Sequence, residues 1–326
     1  MSLLNRLRTL TISQRNVLIA SWLVLTCNAA FFQRLSELTP YDGWRAGVFL
    51  VATGLMLIAY IASFLQVLTW GVFARPLQSF VLLASALTTY FMSTYGVGID
   101  SGQIQNMMET NPQEVWDLMS WRLLATLLVI AGLPMLWLWT VPATPLSWRA
   151  TLRSKAIALV LGLVTILALA GWHYADYAST FREHRELRSL VVPHNYMAGL
   201  KRYYSKMATP AHLPLLSFGE DATRTTAATK KPTLFVFVLG ETARAESFGL
   251  NGYARNTTPK LAKRGVVNFP HVSSCGTATA VSVPCLFSGM TRANYDPKLA
   301  SHREGLLDIL QRAGYATTWI DNNTGC

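Results

Sequence analysis

Long apolar runs and their polar interruptions divide the chain into two unlike halves. Runs of about 20 apolar residues, the length of a helix that crosses the hydrocarbon core of a bilayer, fall near Asn16–Phe32, Ala46–Thr69, Leu77–Tyr95, Leu123–Thr140 and Ala156–Tyr174. Each is apolar on every face, as a helix in lipid must be, because lipid offers its backbone no hydrogen-bonding partner. Five such runs in succession predict five membrane spans rather than five buried helices of a soluble protein. The first is not read as a cleavable signal peptide, since further spans follow it and no small-residue cleavage site accompanies it.

From Tyr177 to Lys231 the pattern turns polar and reads as a connector. The charged stretch Phe181–Arg188 predicts a helix. Tyr196, Tyr203 and Tyr204 interleaved with Arg and Lys suit either a helix lying in a membrane interface or an ordinary solvated helix. Asp221–Lys231 reads as a flexible linker. After it the period changes again. Thr233–Leu239 is a continuous β-rich apolar run, the pattern of a strand buried on both faces. Gly240 breaks it and Glu241–Glu246 can open a helix. Val266–Phe269 predicts a second strand, Glu304–Ala313 an amphipathic helix closed by Gly314, and Tyr315–Ile320 a further strand. Strand and helix in alternation predict a parallel sheet covered by helices, with ligands beyond the carboxyl ends of its strands, where Glu241 and Asp321 fall. The expected organisation is therefore a transmembrane part at 1–176, an interfacial helix and linker at 177–231, and an α/β domain at 232–326.

Composition and charge sharpen this. The chain is 51% hydrophobic and 14% charged, where a soluble domain carries about 25% charged residues, and most of its charged side chains come from Asp176 onward. Arg6, Arg8 and Arg15 precede the first span, Arg75 lies between the second and third, and Arg149, Arg153 and Lys155 lie between the fourth and fifth. The opposite loops are poor in basic residues, so the positive-inside bias predicts a cytoplasmic N-terminus and, after five spans, an exported C-terminal half. The net charge of +11 invites a nucleic-acid partner, but the basic residues are dispersed and no groove-reading motif accompanies them. An acidic membrane surface suits them better. A transporter is disfavoured because the spans hold almost no ionisable residues; a non-catalytic receptor stays open.

Two places carry candidate chemistry. Glu241 follows directly on the predicted strand, where a carboxylate can be a metal ligand, a general base or a favourable charge at a helix N-terminus. In Ser274–Cys285 the cysteines Cys275 and Cys285 stand ten residues apart and, in an oxidising compartment, can close a small disulfide loop. Between them Gly276 permits a tight turn and Thr277 stands at the head of a predicted helix running toward Pro284. A hydroxyl there is either an N-cap or a nucleophile, since the helix dipole favours its alkoxide and attracts phosphate. Thr279 and Ser282 are weaker rivals.

Taken together, Gly240–Pro259, Ser274–Thr277 and Ser282–Cys285 resemble the lipid A phosphoethanolamine transferases, a family that includes the mobile colistin-resistance enzymes and belongs to the alkaline phosphatase superfamily. The resemblance covers the whole chain and implies five spans followed by an alkaline-phosphatase-like (sulfatase-like) periplasmic domain in a bacterial inner membrane. It implies that Glu241 and Thr277 are ligands of a catalytic zinc and that Thr277 is the nucleophile, receiving phosphoethanolamine from phosphatidylethanolamine and passing it to lipid A. It implies a monomer, and polymyxin and colistin resistance as the outcome. Gly98–Glu114 is similar to the family's extracytoplasmic substrate loop, in which Asn106, Thr110 and Glu114 match residues holding the phosphoethanolamine group. Their spacing of four puts all three on one helical face, with Glu114 available to pair with the ammonium, although Pro112 would bend or restart that helix. Thr324 matches a hydroxyl position of the pocket. The family completes its zinc site with an Asp-His pair downstream of Asp321–Asn323, and none of the six histidines here follows an Asp. The expectation is an incomplete catalytic domain, with Cys326 half of a disulfide and the chain inactive alone. The alternatives are the same chemistry on another periplasmic acceptor, such as a periplasmic glucan or a surface sugar, or an inactive truncated membrane protein.

Overall fold

The computed structural model describes residues 10–110, 112–207, 214–224, 233–240 and 243–320. It divides into two compact units, residues 1–209 and 210–326. The boundary falls inside the stretch read as a connector, and the polar helices after the last span belong to the first unit. The linker expected at Asp221–Lys231 lies largely outside the described residues.

The first unit is helical. Among the described residues four helices are long and apolar enough to cross a membrane: α3 (Gly43–Leu68), α4 (Ala74–Tyr95, extended to Gly71 by a 3-10 turn), the stretch Trp121–Thr140, and α9 (Trp148–Trp172). Trp121–Thr140 is α7 (Trp121–Leu127) and α8 (Leu133–Thr140), joined through a π-helical turn at Leu128–Gly132. The expected first span, Asn16–Phe32, is not one straight helix. It is split at Asn28 into α1 (Ile12–Cys27) and α2 (Ala29–Leu38), bent by 65°. The reason is local. The Asn28 amide donates to the carbonyls of Leu23 and Val192 (both 3.1 Å) and accepts from the Val192 amide at 2.9 Å. A fully buried side chain thus ties the interrupted backbone to a distant segment.

A buried polar lattice joins one end of the helices. Asn16 Nδ2 donates to Gln66 Oε1 and Thr69 Oγ1, and Asn16 Oδ1 accepts from Gln78 at 2.7 Å. Lys155 Nζ donates to the carbonyls of Gln66 and Thr69, both at 2.7 Å, and lies 4.5 Å from the Trp70 ring centre. It therefore closes the last turn of α3, where a cation is favoured by unsatisfied carbonyls and the helix dipole. Arg15 is 1% exposed and stacks over Trp137 at 5.1 Å, with no hydrogen-bond partner for its guanidinium. Both cations sit at helix ends, so the apolar middles of the spans stay free of charge, as the sequence pattern predicts.

Beyond α9 the chain forms α10 (Tyr174–Glu183), a 3-10 turn at Arg185–Leu190 and α11 (His194–Met207). These dock on the bundle through Tyr41 Oη to Asp176 (2.7 Å), Thr53 to Tyr177 (2.8 Å) and Tyr60 to His194 Nδ1 (2.8 Å). Burial pushes the Tyr196 hydroxyl up to about 12, so it stays neutral where it faces Ser85.

The second unit departs most from expectation. Among its described residues there is no strand ladder. Residues 233–239, 266–269 and 315–320 run without pairing, and the one bridge is an isolated parallel contact between Leu216 and Arg303. Leu234 is 87% exposed and Ile320 90%. An apolar run becomes a buried strand only when neighbouring strands take its amides and carbonyls and helices cover both faces. Here the runs at 233–239 and 315–320 instead converge on one aromatic side chain. Phe237 and Trp319 pack against Phe287, with ring centres 5.9 and 5.7 Å apart. Phe287 ends α12 (Thr279–Phe287), and the amphipathic helix predicted at Glu304–Ala313 appears as α13 (Leu306–Arg312).

A polar clip holds residues 216–219. Leu216 exchanges backbone hydrogen bonds with His302 and Glu304, Arg303 lies over the Phe218 ring at 3.9 Å, and Arg312 donates to the carbonyls of Phe218 and Gly219. Glu304 pairs with Arg312 and accepts from the Phe218 amide at 3.0 Å. The Arg312 guanidinium, then the Phe218 amide, hold its carboxyl below its ordinary value. A depressed folded pKa gives stability that is present above the unfolded carboxylate value, about 4.3, and is lost as pH falls through the lower folded one.

Two predictions follow from these ties. Asn28→Leu orphans buried backbone groups, each costing about 1–3 kcal/mol, so the thermal unfolding midpoint in detergent should fall; an unchanged midpoint would contradict the role given to Asn28. Hydrogen-exchange protection at Phe218 should drop when pH is lowered below about 4. Glu304→Gln should lower it already at neutral pH and flatten that dependence.

Candidate functional site

The predicted site residues fall in both units. In the first, Asp100 opens α5 (Ser101–Glu109) by accepting from the amides of Gly102 (2.8 Å) and Gln103 (3.0 Å). Such a cap satisfies two of the unpaired amides at the helix start. Asn106 lies exposed on α5, and Thr110 is its C-terminal cap in extended conformation. The Thr110 hydroxyl donates to the Asn106 carbonyl at 2.7 Å. A new helix, α6 (Pro112–Asp117), then carries Glu114; nothing is described of the Glu114 side chain. Asn106, Thr110 and Glu114 therefore do not share one continuous helical face. Pro112 is the cause: it has no amide to continue α5, and it biases the residue before it away from helix.

This loop is anchored to α11. The Ile99 amide donates to the Ser189 carbonyl (3.2 Å), and Asn195 donates to the same carbonyl at 3.0 Å. Gly199 lets the two helices close up, since a Cβ there would lie 2.9 Å from Ile104 Cγ1 and 3.1 Å from the Asp100 carbonyl. Ile99 and Ile104 are buried beneath, while Met107, Met108, Trp116 and Trp121 are exposed around the loop. The outer face of the loop is thus both polar, at Asn106, and apolar. Asp100 and Gly199 were missed by the sequence reading. An Asp two and three residues before Gly102 and Gln103 was a legible capping signal; the closeness of Gly199 to α5 was not, because it depends on a contact across the fold.

In the second unit Cys275 and Cys285 form the expected disulfide, with Cα atoms 6.4 Å apart and Cys285 buried. α12 begins after the N-cap Ala278, so Thr277 stands one residue outside the cap and is not the N-cap itself. It is exposed, at the end of the helix where the dipole favours negative charge. Gly276 is required by close approach: a Cβ would lie 2.9 Å from Val281 Cγ1 in the first turn of α12. Ser274 Oγ donates to the Gly276 carbonyl at 2.7 Å and steadies the turn. Thr279 and Ser282, the weaker candidates, lie within α12 itself.

The long motif after Gly240 is a loop tied to itself. Thr257 Oγ1 donates to the Ser247 carbonyl (2.6 Å) and accepts from the Gly249 amide (3.0 Å), while Thr258 Oγ1 accepts from the Leu250 amide. Its helix is reduced to a 3-10 turn at Ala245–Ser247. Glu241, Thr324 and Cys326 lie outside the described residues. Among the described residues no group of three or more His, Cys, Asp or Glu side chains comes together that could hold a metal ion.

Comparison with known proteins covers both parts of the chain. Residues 57–208 match the family model for phosphoethanolamine transferase EptA/EptB, and residues 233–326 match the sulfatase model. The chain is 39% identical over 316 residues to phosphoethanolamine transferase EptA of Escherichia coli strain K12, covering 95% of this chain and 57% of that protein. It is 35% identical over 317 residues to phosphatidylethanolamine transferase Mcr-1 of Escherichia coli, covering 94% and 57%. Among solved structures it matches the integral membrane protein lipooligosaccharide phosphoethanolamine transferase A (EptA) of Neisseria meningitidis. The TM-score is 0.85 at 32% identity, over 98% of this chain and 60% of that one. The chain thus spans somewhat more than half the length of these relatives, and it shares their arrangement of a membrane part followed by a sulfatase-like part. With the two parts matched in order, one to each model, the chain belongs to the EptA and Mcr family of phosphoethanolamine transferases.

Proposed function

We propose that the enzyme to which these 326 residues belong moves phosphoethanolamine from phosphatidylethanolamine to lipid A through a covalent intermediate on Thr277. The observation that supports this most directly is the setting of Thr277. Its residue is exposed just ahead of α12, and the turn before it is held by the Cys275–Cys285 disulfide and by the close packing of Gly276 on Val281. In the first displacement the Thr277 Oγ forms a bond to the donor phosphorus and the P–O bond to diacylglycerol breaks, the hydroxyl proton leaving with diacylglycerol. In the second, a lipid A phosphate oxygen bonds to that phosphorus and the bond to Thr277 Oγ breaks, the proton of the acceptor phosphate passing to Oγ and restoring the hydroxyl. A covalent intermediate splits one hard displacement into two easier ones. The positive end of the helix dipole is placed to favour charge building on phosphoryl oxygens.

Asn106, Thr110, Glu114 and Thr324 are proposed to hold the donor headgroup. The Thr110 hydroxyl gives its proton to the Asn106 carbonyl, so its lone pairs are left to accept from an ammonium, with the Glu114 carboxylate as the counter-charge. A zinc ion ligated by Glu241 and Thr277 would lower the hydroxyl pKa and polarise the phosphoryl oxygen when bound. Two named ligands fall short of the three that a catalytic zinc takes, and the described residues assemble no further set. The 326-residue chain by itself is accordingly proposed to hold no stoichiometric zinc and to be inactive. The charge distribution across the loops supports an inner-membrane protein with a cytoplasmic N-terminus and periplasmic Thr277; a monomer is proposed from the family resemblance alone. Adding an ammonium to lipid A reduces its negative charge and so its attraction for cationic polymyxins, which is the proposed route to resistance.

Another acceptor is the second reading. It has support in a more distant relative, the Kdo(2)-lipid A phosphoethanolamine 7''-transferase of Escherichia coli strain K12, 24% identical over 98% of this chain. Intact-mass analysis of lipid A from cells expressing the complete gene separates the two. A phosphoethanolamine adduct on lipid A is expected, and Thr277→Ala should abolish it; an adduct that survives the substitution, or appears only outside lipid A, overturns the assignment. Metal analysis of the purified 326-residue chain should find well under one zinc per chain, and a full equivalent would contradict the incomplete ligand set.

A further inference from the structure

Between α3 and α11 lies a cleft of about 990 Å³ that none of the predicted site residues lines. Its α11 wall is one face of that helix: His194, Met197, Ala198, Lys201 and Arg202 recur at the three- and four-residue spacing that stacks side chains in a row. The facing wall is Tyr60, Ile61 and Phe64 of α3. Tyr60 and His194 bridge the two at 2.8 Å and fix the separation. The remaining face of α11 is already used, by Tyr196 against Ser85 and by Gly199 against α5.

The chemistry of this cleft is one-sided. Ile61, Phe64 and Met197 make an apolar bed, and Lys201 and Arg202 are exposed beside it. No carboxylate lines it among the described residues. The His194 ring is held below its ordinary value by burial and then by the charges of Arg202 and Arg188, a sign that the field here is positive. A bed for hydrocarbon next to cations without counter-charge suits a lipid whose headgroup is anionic. It does not suit phosphatidylethanolamine, whose ammonium would meet Lys201 and Arg202 with no acid to receive it.

We propose that this cleft seats the anionic acceptor lipid, with a phosphate on Lys201 and Arg202 and an acyl chain along Ile61, Phe64 and Met197. This rests on the acceptor being lipid A. The geometry has a consequence for the reaction. α11 separates the cleft from the loop of Asn106 and Thr110, so acceptor and donor headgroup lie on opposite sides of one helix, about 10 Å across. Two lipids of different charge would then be sorted to two faces of α11, one of them lined by Lys201 and Arg202 with no carboxylate among the described residues.

The test uses the whole 326-residue chain in nanodiscs of phosphatidylcholine doped with a lipid A analogue carrying a photoactivatable diazirine on an acyl chain, with cross-links mapped by peptide mass spectrometry. Labelling is expected on the peptides containing Ile61–Phe64 and Pro193–Lys201, displaced by unlabelled lipid A and not by phosphatidylethanolamine. Lys201→Gln with Arg202→Gln should cut it by about tenfold or more, as the loss of two charge-assisted hydrogen bonds implies. Both side chains are exposed, so the pair should leave the circular dichroism and melting unchanged. Equal labelling by diazirine phosphatidylethanolamine or phosphatidylglycerol, labelling indifferent to the double substitution, or labels confined to other helices would each overturn the proposal. The readout is binding alone. Cleft labelling with lipid A left unmodified by the complete enzyme would count against the proposed reaction and not against the cleft.

Discussion

The arrangement of the membrane helices depends on one buried amide, that of Asn16. It donates to Gln66 and Thr69 at the end of α3 and accepts from Gln78 at the start of α4, while Lys155 from α9 caps the same end of α3. In lipid the hydrophobic effect does not draw helices together, so close packing and interhelical hydrogen bonds, worth about 0.6 to 2 kcal/mol each, select which helices meet and in what register. Four segments that are nearly uniform in hydrophobicity are distinguished by these few polar atoms. Gly162 adds the close approach: a Cβ there would lie 3.4 Å from the Ala59 carbonyl, so α9 lies tightly along α3.

With α3 held at that end, its other polar positions become docking points. Thr53 receives Tyr177 and Tyr60 receives His194, and the bend at Asn28 delivers a further pair of bonds to Val192. These place α11, and α11 in turn places the loop of Asn106 through Gly199, Asn195 and Ser189. The candidate headgroup loop is therefore positioned by a chain of contacts that begins in the bundle. Its local shape is set differently, by the Asp100 cap at one end and Pro112 at the other. Held at its base and exposed at Asn106, Met107 and Met108, the loop presents polar and apolar side chains side by side.

The second unit has its order concentrated around one element. The disulfide, the Gly276 turn, the aromatic packing of Phe287 and, through Ser288, the contact of Arg303 all converge on α12. That is the helix at whose head Thr277 stands. Among the described residues the apolar runs at 233–239 and 315–320 are exposed and unpaired, apart from their aromatic contacts with Phe287. The turn that carries Thr277 is thus framed by covalent and short-range contacts.

The residue pattern alone determined the features that depend on near neighbours. Apolar length placed the spans, the spacing of Cys275, Gly276 and Cys285 placed a cross-linked turn ahead of a helix, Pro112 announced the break after Thr110, and Gly314 the end of α13. It also carried the family resemblance, because the Gly240–Pro259 motif is a contiguous string. Tertiary structure decided what depends on distant partners. The break at Asn28 could not be foreseen, because its reward lies at Val192, far along the chain. The strands at 233–239, 266–269 and 315–320 were legible as apolar β-rich runs, yet a strand exists only where a ladder accepts its backbone groups, and among the described residues none does. The cleft against α11 was hidden for the same reason: the spacing of His194, Lys201 and Arg202 marks one helical face, but only the packing of α3 shows what that face encloses.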